Sequence, residues 1–201
     1  MNTSLHETKV MPAASFTAVA SVAALERLYT ERGQSLYGGE AVSQLQHALQ
    51  SAHAAEQGGA APALIVAALL HDVGHLLAQQ GEQDIANGVD DHHEAIGVTA
   101  LKHLFGPEVL QPMALHVTAK RYLCAREPGY LQQLSPTSLQ SLQLQGGVMS
   151  AAEADRFEQR AYFAEAILLR RCDELAKEPE AQTPGLAHFL SIASTLAKNP
   201  A

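Results

Sequence analysis

Hydrophobic residues recur every three or four positions along most of this chain, and glycines or prolines separate the segments that show this spacing. Such a period is typical of amphipathic helices. It predicts helices over residues 15–32, 40–57, 63–80, 94–105, 107–126, 136–145, 150–178 and 185–198. Because no segment alternates polar and apolar residues as a half-buried strand would, we predict an all-α protein, with one helical domain over residues 15–201 and a flexible N-terminus over residues 1–14.

One of these segments, residues 63–80, is apolar on nearly every side, which predicts a central helix buried on all faces. Pro62 precedes it at a position where helices tolerate proline. Two other helices have the signature of a capping box at their start, formed by Asp91 with Glu94 and by Ser150 with Glu153.

The composition argues against several classes of protein. The 201 residues carry a net charge of −8, from 13 basic and 21 acidic residues, whereas a general nucleic-acid binder needs a basic surface. The longest apolar run, residues 60–70, is too short to span a bilayer, and the first ten residues lack the apolar core of a signal peptide. The two cysteines, Cys124 and Cys172, have no paired spacing, which favours reduced, buried thiols in a cytoplasmic protein.

The predicted central helix contains the adjacent pair His71-Asp72, followed four residues after the histidine by His75. An ionised carboxylate is costly to bury unless a metal ion or another partner compensates its charge. The alternative is a polar stripe that faces solvent, but the apolar neighbours leave little surface for one. The pattern therefore favours a buried metal site.

Other candidate ligands lie on separate predicted helices. Only one of His92 and His93 can point inward, and small or apolar neighbours favour His93. Arg170 and Asp173 are three residues apart, which alone would favour a simple intrahelical ion pair. The full set of candidate ligands is His47, His71, Asp72, His93, His116 and Asp173. Four imidazoles and two carboxylates suffice for two first-row metals, with Asp72 as a plausible bridge and no thiolate in the set. His53, His103 and His188 lack neighbouring candidate ligands of this kind and are interpreted as structural or exposed.

The His71-Asp72 pair resembles the motif that gives the HD-domain superfamily its name. Other stretches resemble one branch of that superfamily, the phosphonate-degrading (PhnZ-type) mixed-valent diiron oxygenases, which are related to myo-inositol oxygenase. These stretches are Tyr37-Gly-Gly-Glu40, Gln44 to His47, Ala67 to His75, His93 to Gly97, His116 to Leu123, Gln145-Gly-Gly and Asp173. The stretch from His116 is the most specific of them, because general HD hydrolases lack it.

The resemblance implies a role for each matching residue. The six candidate ligands would hold two iron ions, an Fe(II)/Fe(III) pair, with Asp72 bridging and His75 next to the substrate. The phosphonate-binding positions would be Lys120, Ser138, Ser141 and Arg170, where Ser141 stands in place of a threonine. Tyr37 and Glu40 would guard the open iron position and sense the amino end of the substrate.

The implied reaction uses O2 as co-substrate and cleaves the C–P bond of a 1-hydroxy-2-aminoethylphosphonate, releasing phosphate. The amine is either free, giving glycine, or trimethylated, giving glycine betaine. Tyr37 is the single aromatic residue placed near the site, which favours the free amine because trimethylammonium groups prefer aromatic faces. Two alternatives stay open at this stage. The same ligands could activate water in a metal-dependent phosphohydrolase acting on a nucleotide or phosphodiester, or could serve a non-catalytic metal-binding module. Neither nucleic acid nor membrane is expected as a partner.

Overall fold

The computed structural model describes residues 18–78 and 90–198, and their regular secondary structure is almost entirely helical. The helices are α1 Val22–Arg32, α2 Gln44–Gln57, α3 Pro62–Leu70, α4 Val73–Ala78, α5 His93–Leu101, α6 Pro107–Arg126, α7 Tyr130–Gln133, α8 Pro136–Leu144, α9 Ala151–Glu158, α10 Phe163–Leu175 and α11 Leu186–Leu196. Within those two ranges the extended pairing is limited to a single bridge between Leu36 and Ser43. The predicted all-α class is confirmed.

Helix α3 lies at the centre of the fold, as its apolar sequence predicts. Residues 64–70 are all buried, and α3 packs against α2, α6 and α11. Helix α10 packs against both α2 and α6. The elements that carry the candidate ligands therefore surround one point in the interior, since α2 contains His47, α6 contains His116 and α10 contains Asp173.

Serine side chains define where several helices begin. Ser150 and Glu153 form the predicted capping box at the start of α9, and Ser43 with Gln46 forms a second one at α2. Helix α1 begins at Val22, later than the predicted position 15, because the Ser21 hydroxyl accepts a hydrogen bond from the backbone N–H of Ala24 and caps the helix there.

The prediction of one continuous helix over residues 63–80 is wrong. Helix α3 ends at Leu70, the chain turns at His71-Asp72, and α4 begins at Val73. The His71 Nδ1 atom donates a hydrogen bond to the carbonyl oxygen of Ala68 at 2.8 Å, so that the imidazole satisfies a carbonyl at the end of α3. The turn directs both members of the pair towards the centre of the molecule.

The predicted helix over residues 150–178 also divides in two, α9 and α10. The break includes Tyr162, whose φ of 63° is in the left-handed region. It allows Phe157 and Phe163 to meet edge to face, with ring centroids 5.2 Å apart, and both rings pack against Tyr122. Burial of this aromatic cluster offsets the local backbone strain.

The predicted flexible N-terminus over residues 1–14 and the end of the predicted helix over residues 63–80, from residue 79, lie outside the described residues. Across the two described ranges, the structure contains no helix that is long and apolar enough to cross a membrane. Cys124 and Cys172 are both free thiols, as predicted, but they are half-buried instead of fully buried.

Candidate metal centre and substrate pocket

The four candidate histidine ligands meet in two pairs. The Nε2 atoms of His47 and His71 are 3.2 Å apart, and those of His93 and His116 are 3.1 Å apart. All four side chains are buried.

In each of these histidines the Nδ1 atom has a hydrogen-bond partner, which leaves the Nε2 atom available to bind a metal ion. His47 Nδ1 donates to the Ala176 carbonyl at 2.9 Å, and His116 Nδ1 donates to the Met113 carbonyl at 2.7 Å. His71 uses the Ala68 carbonyl in the same way. Because a carbonyl can only accept, these Nδ1 atoms carry the hydrogen and each Nε2 presents a lone pair. Two lone pairs that face each other at about 3 Å call for a cation near both.

Asp72 lies between the two histidine pairs. Its Oδ2 atom is 3.6 Å from His47 Nε2 and 3.4 Å from His71 Nε2. Its Oδ1 atom is 3.2 Å from His93 Nε2 and 3.4 Å from His116 Nε2. One carboxylate thus faces each pair with a separate oxygen, which is the arrangement of a bridging ligand.

Asp173 joins the first pair from α10. Its Oδ1 atom is 3.4 Å from His47 Nε2 and 3.9 Å from His71 Nε2, while its other oxygen contacts Arg170. The Oδ1 atoms of Asp72 and Asp173 are both buried and lack a hydrogen-bond partner. Unpaired carboxylate oxygens at this depth are costly unless a cation compensates them.

The donor set fits two first-row metal ions. Burial lowers the pKa of His47 to about 4, which keeps that imidazole neutral as a metal ligand must be. Burial by itself would raise the pKa of Asp72, but positive charge at the neighbouring imidazoles of His71 and His93 holds it well below the usual range of a carboxyl. A metal ion bound to the same nitrogens would supply that positive charge while the imidazoles stay neutral. Mixed nitrogen and oxygen ligands without thiolate suit iron, manganese or zinc.

Asp91 lines the cavity and contacts two histidines, whereas its sequence pattern predicts a helix cap. The predicted capping box with Glu94 does not form: α5 begins after His92, in the left-handed region, with no side-chain cap. Asp91 instead accepts a hydrogen bond from His93 Nδ1 at 2.8 Å, and its second oxygen is 2.8 Å from His75 Nδ1. The carboxylate therefore orients a ligand histidine and a pocket histidine at once.

Replacing Asp91 by asparagine is expected to weaken metal binding at the His93 pair by about 10- to 100-fold, because an amide has one acceptor oxygen and cannot hold both imidazoles. Metal competition against a chelator measures the change. Asp90→Asn is the matched control, since Asp90 contacts the exposed His92. Equal metal affinity in the two variants would show that Asp91 has no orienting role.

His75 lies beside the second pair and faces the pocket. Its ring stacks on His93 with centroids 4.1 Å apart. A ring nitrogen of His75 comes within 4.8 Å of ligand atoms of Asp72 and His93. His116 is nevertheless a better candidate than His75 to share a metal ion with His93. The His116 Nε2 atom directly faces both the His93 nitrogen and Asp72 Oδ1, whereas His75 Nδ1 is paired with Asp91.

A cavity opens from the candidate metal centre, and it is lined by the residues to which the family resemblance assigns roles towards the substrate. They are Tyr37, Glu40, His75, Lys120, Ser138, Ser141 and Arg170. Lys120 Nζ donates to Ser141 Oγ at 2.8 Å, and Arg170 Nε donates to the Tyr130 hydroxyl at 3.0 Å. Both basic side chains are buried, and the Arg170 guanidinium also contacts the carboxylates of Asp173 and Glu174, which offset part of its charge.

The turn that contains Tyr37 and Glu40 is held by a ring contact on one side and a hydrogen bond on the other. The Tyr37 ring stacks on His47 with centroids 3.7 Å apart. Thr137 donates through its hydroxyl to the Gly38 carbonyl at 2.6 Å. Gly38 and Gly39 have φ values of 49° and 77°, which explains why glycine occupies both positions.

Lys177 is a second residue that sequence reasoning missed. A helix predicted to continue to residue 178 would leave this lysine as an ordinary solvated side chain. Because α10 ends at Leu175, the chain turns back and places Lys177 Nζ 3.1 Å from Ser138 Oγ and 3.9 Å from Glu40 Oε1. No local sequence signal indicates this position.

The other histidines of the two described ranges, His53, His92, His103 and His188, lie away from the centre, as the sequence predicts. His92 is exposed next to the inward-facing His93, and His103 is exposed. His188 and His53 contact Glu56 on the surface.

Comparison with known proteins reveals clear relatives. The HD domain family matches residues 45–193. The chain is similar to a hydroxymethylphosphonate dioxygenase of Gimesia maris, with 44% identity over 169 residues that cover 84% of each chain. It is also similar to a [1-hydroxy-2-(trimethylamino)ethyl]phosphonate dioxygenase (glycine-betaine-forming) of Leisingera caerulea, with 40% identity over 162 residues, 81% of this chain and 83% of that one.

Proposed function

The chain belongs to the HD-domain family and to its branch of phosphonate dioxygenases, and from this membership we propose that it cleaves the C–P bond of a 1-hydroxyphosphonate with O2 and releases phosphate. One observation carries the proposal. Two histidine pairs share the carboxylate of Asp72 at the base of a cavity, and buried Lys120 and Arg170 line the same cavity.

The metal ligands in this proposal are His47, His71, Asp72, His93, His116 and Asp173. Two iron ions, Fe(II) and Fe(III), held there would supply one-electron redox chemistry towards O2. Support comes from the buried, unpaired Oδ1 atoms of Asp72 and Asp173, which need nearby positive charge.

The cation-lined wall binds and orients the phosphonate. Lys120 and Arg170 provide charge-assisted donors, and the hydroxyls of Ser138 and Ser141 add neutral ones. Anchoring the phosphonate at this wall directs the C1 hydroxyl of the substrate towards the metal centre. Tyr37 covers the centre from the other side, where its stacking on His47 excludes water.

The net reaction balances with O2 as the single co-reactant. The C–P bond, the C1–H bond and the O=O bond break, one C–O and one P–O bond form with the two oxygen atoms of O2, and one proton is released. A 2-amino-1-hydroxyethylphosphonate gives glycine and phosphate, and a hydroxymethylphosphonate gives formate and phosphate.

The cavity supports a free amine over a trimethylated one. Glu40 Oε1 is buried at the cavity without a hydrogen-bond partner, and a primary ammonium can donate to it whereas a trimethylammonium cannot. Tyr37 is the one aromatic residue other than histidine among the cavity-lining residues, and His47 covers one face of its ring. A cage of aromatic faces around a quaternary amine is therefore missing from the described cavity. Hydroxymethylphosphonate is the second candidate, because the relative that is 44% identical is named for it.

Phosphate release tests the proposal. The iron-loaded protein with ascorbate is incubated in air and under argon with 2-amino-1-hydroxyethylphosphonate, its trimethylammonium analogue and hydroxymethylphosphonate. We expect release that requires O2, fastest with the primary amine. A protein that hydrolyses a nucleotide or phosphodiester under argon, and none of these substrates in air, would instead be a phosphohydrolase.

The pH dependence of phosphonate binding is expected to report the charge of Lys120. Burial and the neighbouring Arg170 lower the pKa of Lys120 to about 7. The ammonium is present below that pH and is lost above it, so the charged fraction falls about tenfold between pH 6 and pH 8. KM should rise accordingly.

Lys120→Arg is the matched variant, because a guanidinium keeps its charge throughout this pH range. The ratio of wild-type to variant KM removes the titration of the substrate itself. We expect this ratio to increase about tenfold from pH 6 to pH 8. A flat ratio would mean that Lys120 does not bind the phosphonate through its charge.

A further inference from the structure

We propose that Lys177 is a specificity-determining residue, which sets the preference of the site between phosphonates that carry an ammonium group and those that do not. The inference rests on the proposed function, since it concerns the same cavity. It starts from a half-buried lysine that lies behind two of the cavity-lining residues, Ser138 and Glu40.

Lys177 acts on the phosphonate end through Ser138. Its Nζ donates to Ser138 Oγ at 3.1 Å and also lies 3.5 Å from Ser135 Oγ. A serine hydroxyl has one hydrogen, and a donor on its lone pair leaves that hydrogen for another acceptor. The lysine thus orients Ser138 as a donor towards the cavity, where an anionic group would accept from it.

Lys177 acts on the other end of the substrate through Glu40. The Nζ atom is 3.9 Å from Glu40 Oε1, which is close enough to offset its charge but too far for a hydrogen bond. Glu174 also faces the lysine, with Oε2 at 3.5 Å, but Glu174 contacts Arg170 as well. The ammonium of Lys177 therefore compensates part of the negative charge that Glu40 presents to a ligand.

These two contacts have opposite consequences for the two substrate classes. A neutral substituent gains nothing from an uncompensated Glu40, so hydroxymethylphosphonate depends on Lys177 at its phosphonate end alone. A cationic substituent would be attracted more strongly to Glu40 if Lys177 were uncharged. Removal of the charge should weaken binding of the neutral ligand more than binding of the amine.

Lys177→Met removes the charge while keeping most of the side-chain length, and Lys177→Arg keeps the charge. Dissociation constants for hydroxymethylphosphonate and 2-amino-1-hydroxyethylphosphonate are measured by titration calorimetry on the iron-loaded protein under argon, where O2-dependent turnover is absent. We expect Lys177→Met to weaken the neutral ligand about tenfold and the amine less, which shifts the ratio of the two constants by about fivefold or more. Lys177→Arg should keep the ratio within about twofold of wild type.

The double variant Lys177→Met with Glu40→Gln identifies the partner. If Lys177 acts by compensating Glu40, Lys177→Met has no effect on the ratio in a Glu40→Gln background, so the double variant has the ratio of Glu40→Gln alone. Equal weakening of both ligands in Lys177→Met, or a double variant whose ratio differs from that of Glu40→Gln alone as much as Lys177→Met differs from wild type, would overturn the inference. Lys177→Gln carries the same expectation if the methionine variant fails to fold.

The same measurements separate the inference from the proposed function. If the wild type releases no phosphate in air from either substrate, the proposed function is contradicted. The dissociation constants measured under argon still test the role of Lys177 in that case. A wild type that binds neither ligand contradicts both. O2-dependent release with an unchanged ratio in Lys177→Met contradicts the role of Lys177 alone.

Discussion

Replacing Asp72 by alanine is expected to abolish binding of both metal ions and turnover together. The reason is that Asp72 faces the His47–His71 pair with one oxygen and the His93–His116 pair with the other. Its loss would remove a proposed ligand from each histidine pair and the carboxylate that faces both pairs. We expect less than about one hundredth of wild-type activity, and an iron content near zero instead of two per chain.

Thermal unfolding with and without a chelator gives a second measure of the same variant. A metal that binds the folded state stabilises it, so chelation should lower the Tm of the wild type and leave the Tm of Asp72→Ala unchanged. Asp155→Ala is the matched control, because that aspartate is paired with Arg126 on the surface, away from the centre. Two irons retained by Asp72→Ala would contradict its assignment as the bridge.

Replacing Gly74 by alanine is expected to have the second-largest effect, although glycine has no side chain to contribute to the site. A Cβ atom at this position would lie 2.0 Å from the His93 carbonyl oxygen and 2.6 Å from the His93 carbonyl carbon. Both are backbone atoms, so the clash is relieved only if α4 and α5 move apart. That movement separates Asp72 from His93 and changes the geometry of the second metal position.

We expect Gly74→Ala to reduce the free energy of unfolding by about 2–4 kcal/mol and to lose metal preferentially at the His93–His116 pair. Chemical denaturation of the chelator-treated protein measures the first effect, and metal content measures the second. Gly97→Ala at the same helix contact is the control, because its nearest new neighbour is a side-chain methyl of Val73 at 3.1 Å. That atom can shift slightly, so a cost near 1 kcal/mol or less is expected. A similar cost for both variants would show that the contact is adaptable.

The acidic net charge of the chain is compatible with an anionic substrate because the positive charge is local. Lys120 and Arg170 are buried at the cavity wall, and the rest of the chain carries the excess of acidic residues. A buried cation interacts more strongly with a ligand than an exposed one does, since less water screens it. Composition therefore predicts the class of partner that the surface repels but says little about what a cavity binds.

The residues near the metal centre illustrate how far sequence patterns reach. The His71-Asp72 pair stands out because polar residues inside an apolar segment need compensation, and this argument requires no coordinates. The choice of His93 over His92 follows from helical spacing, and the structure buries the first and exposes the second. Asp91 has a pattern that is equally compatible with a helix cap, and tertiary contact with His75 and His93 decided its role.

What the sequence by itself determined is the all-helical class, the central position of α3 and the set of imidazoles and carboxylates that the structure brings together. Each depends on local periodicity or on the cost of burying a charged group, and both can be evaluated from neighbouring residues. Only the tertiary structure decided that the chain breaks at His71-Asp72 and again before Phe163, because those turns are stabilised by a side-chain hydrogen bond and by an aromatic cluster. It alone also placed Lys177 beside Ser138 and Glu40. Those partners are 39 and 137 residues away along the chain, and no local pattern records a contact over that separation.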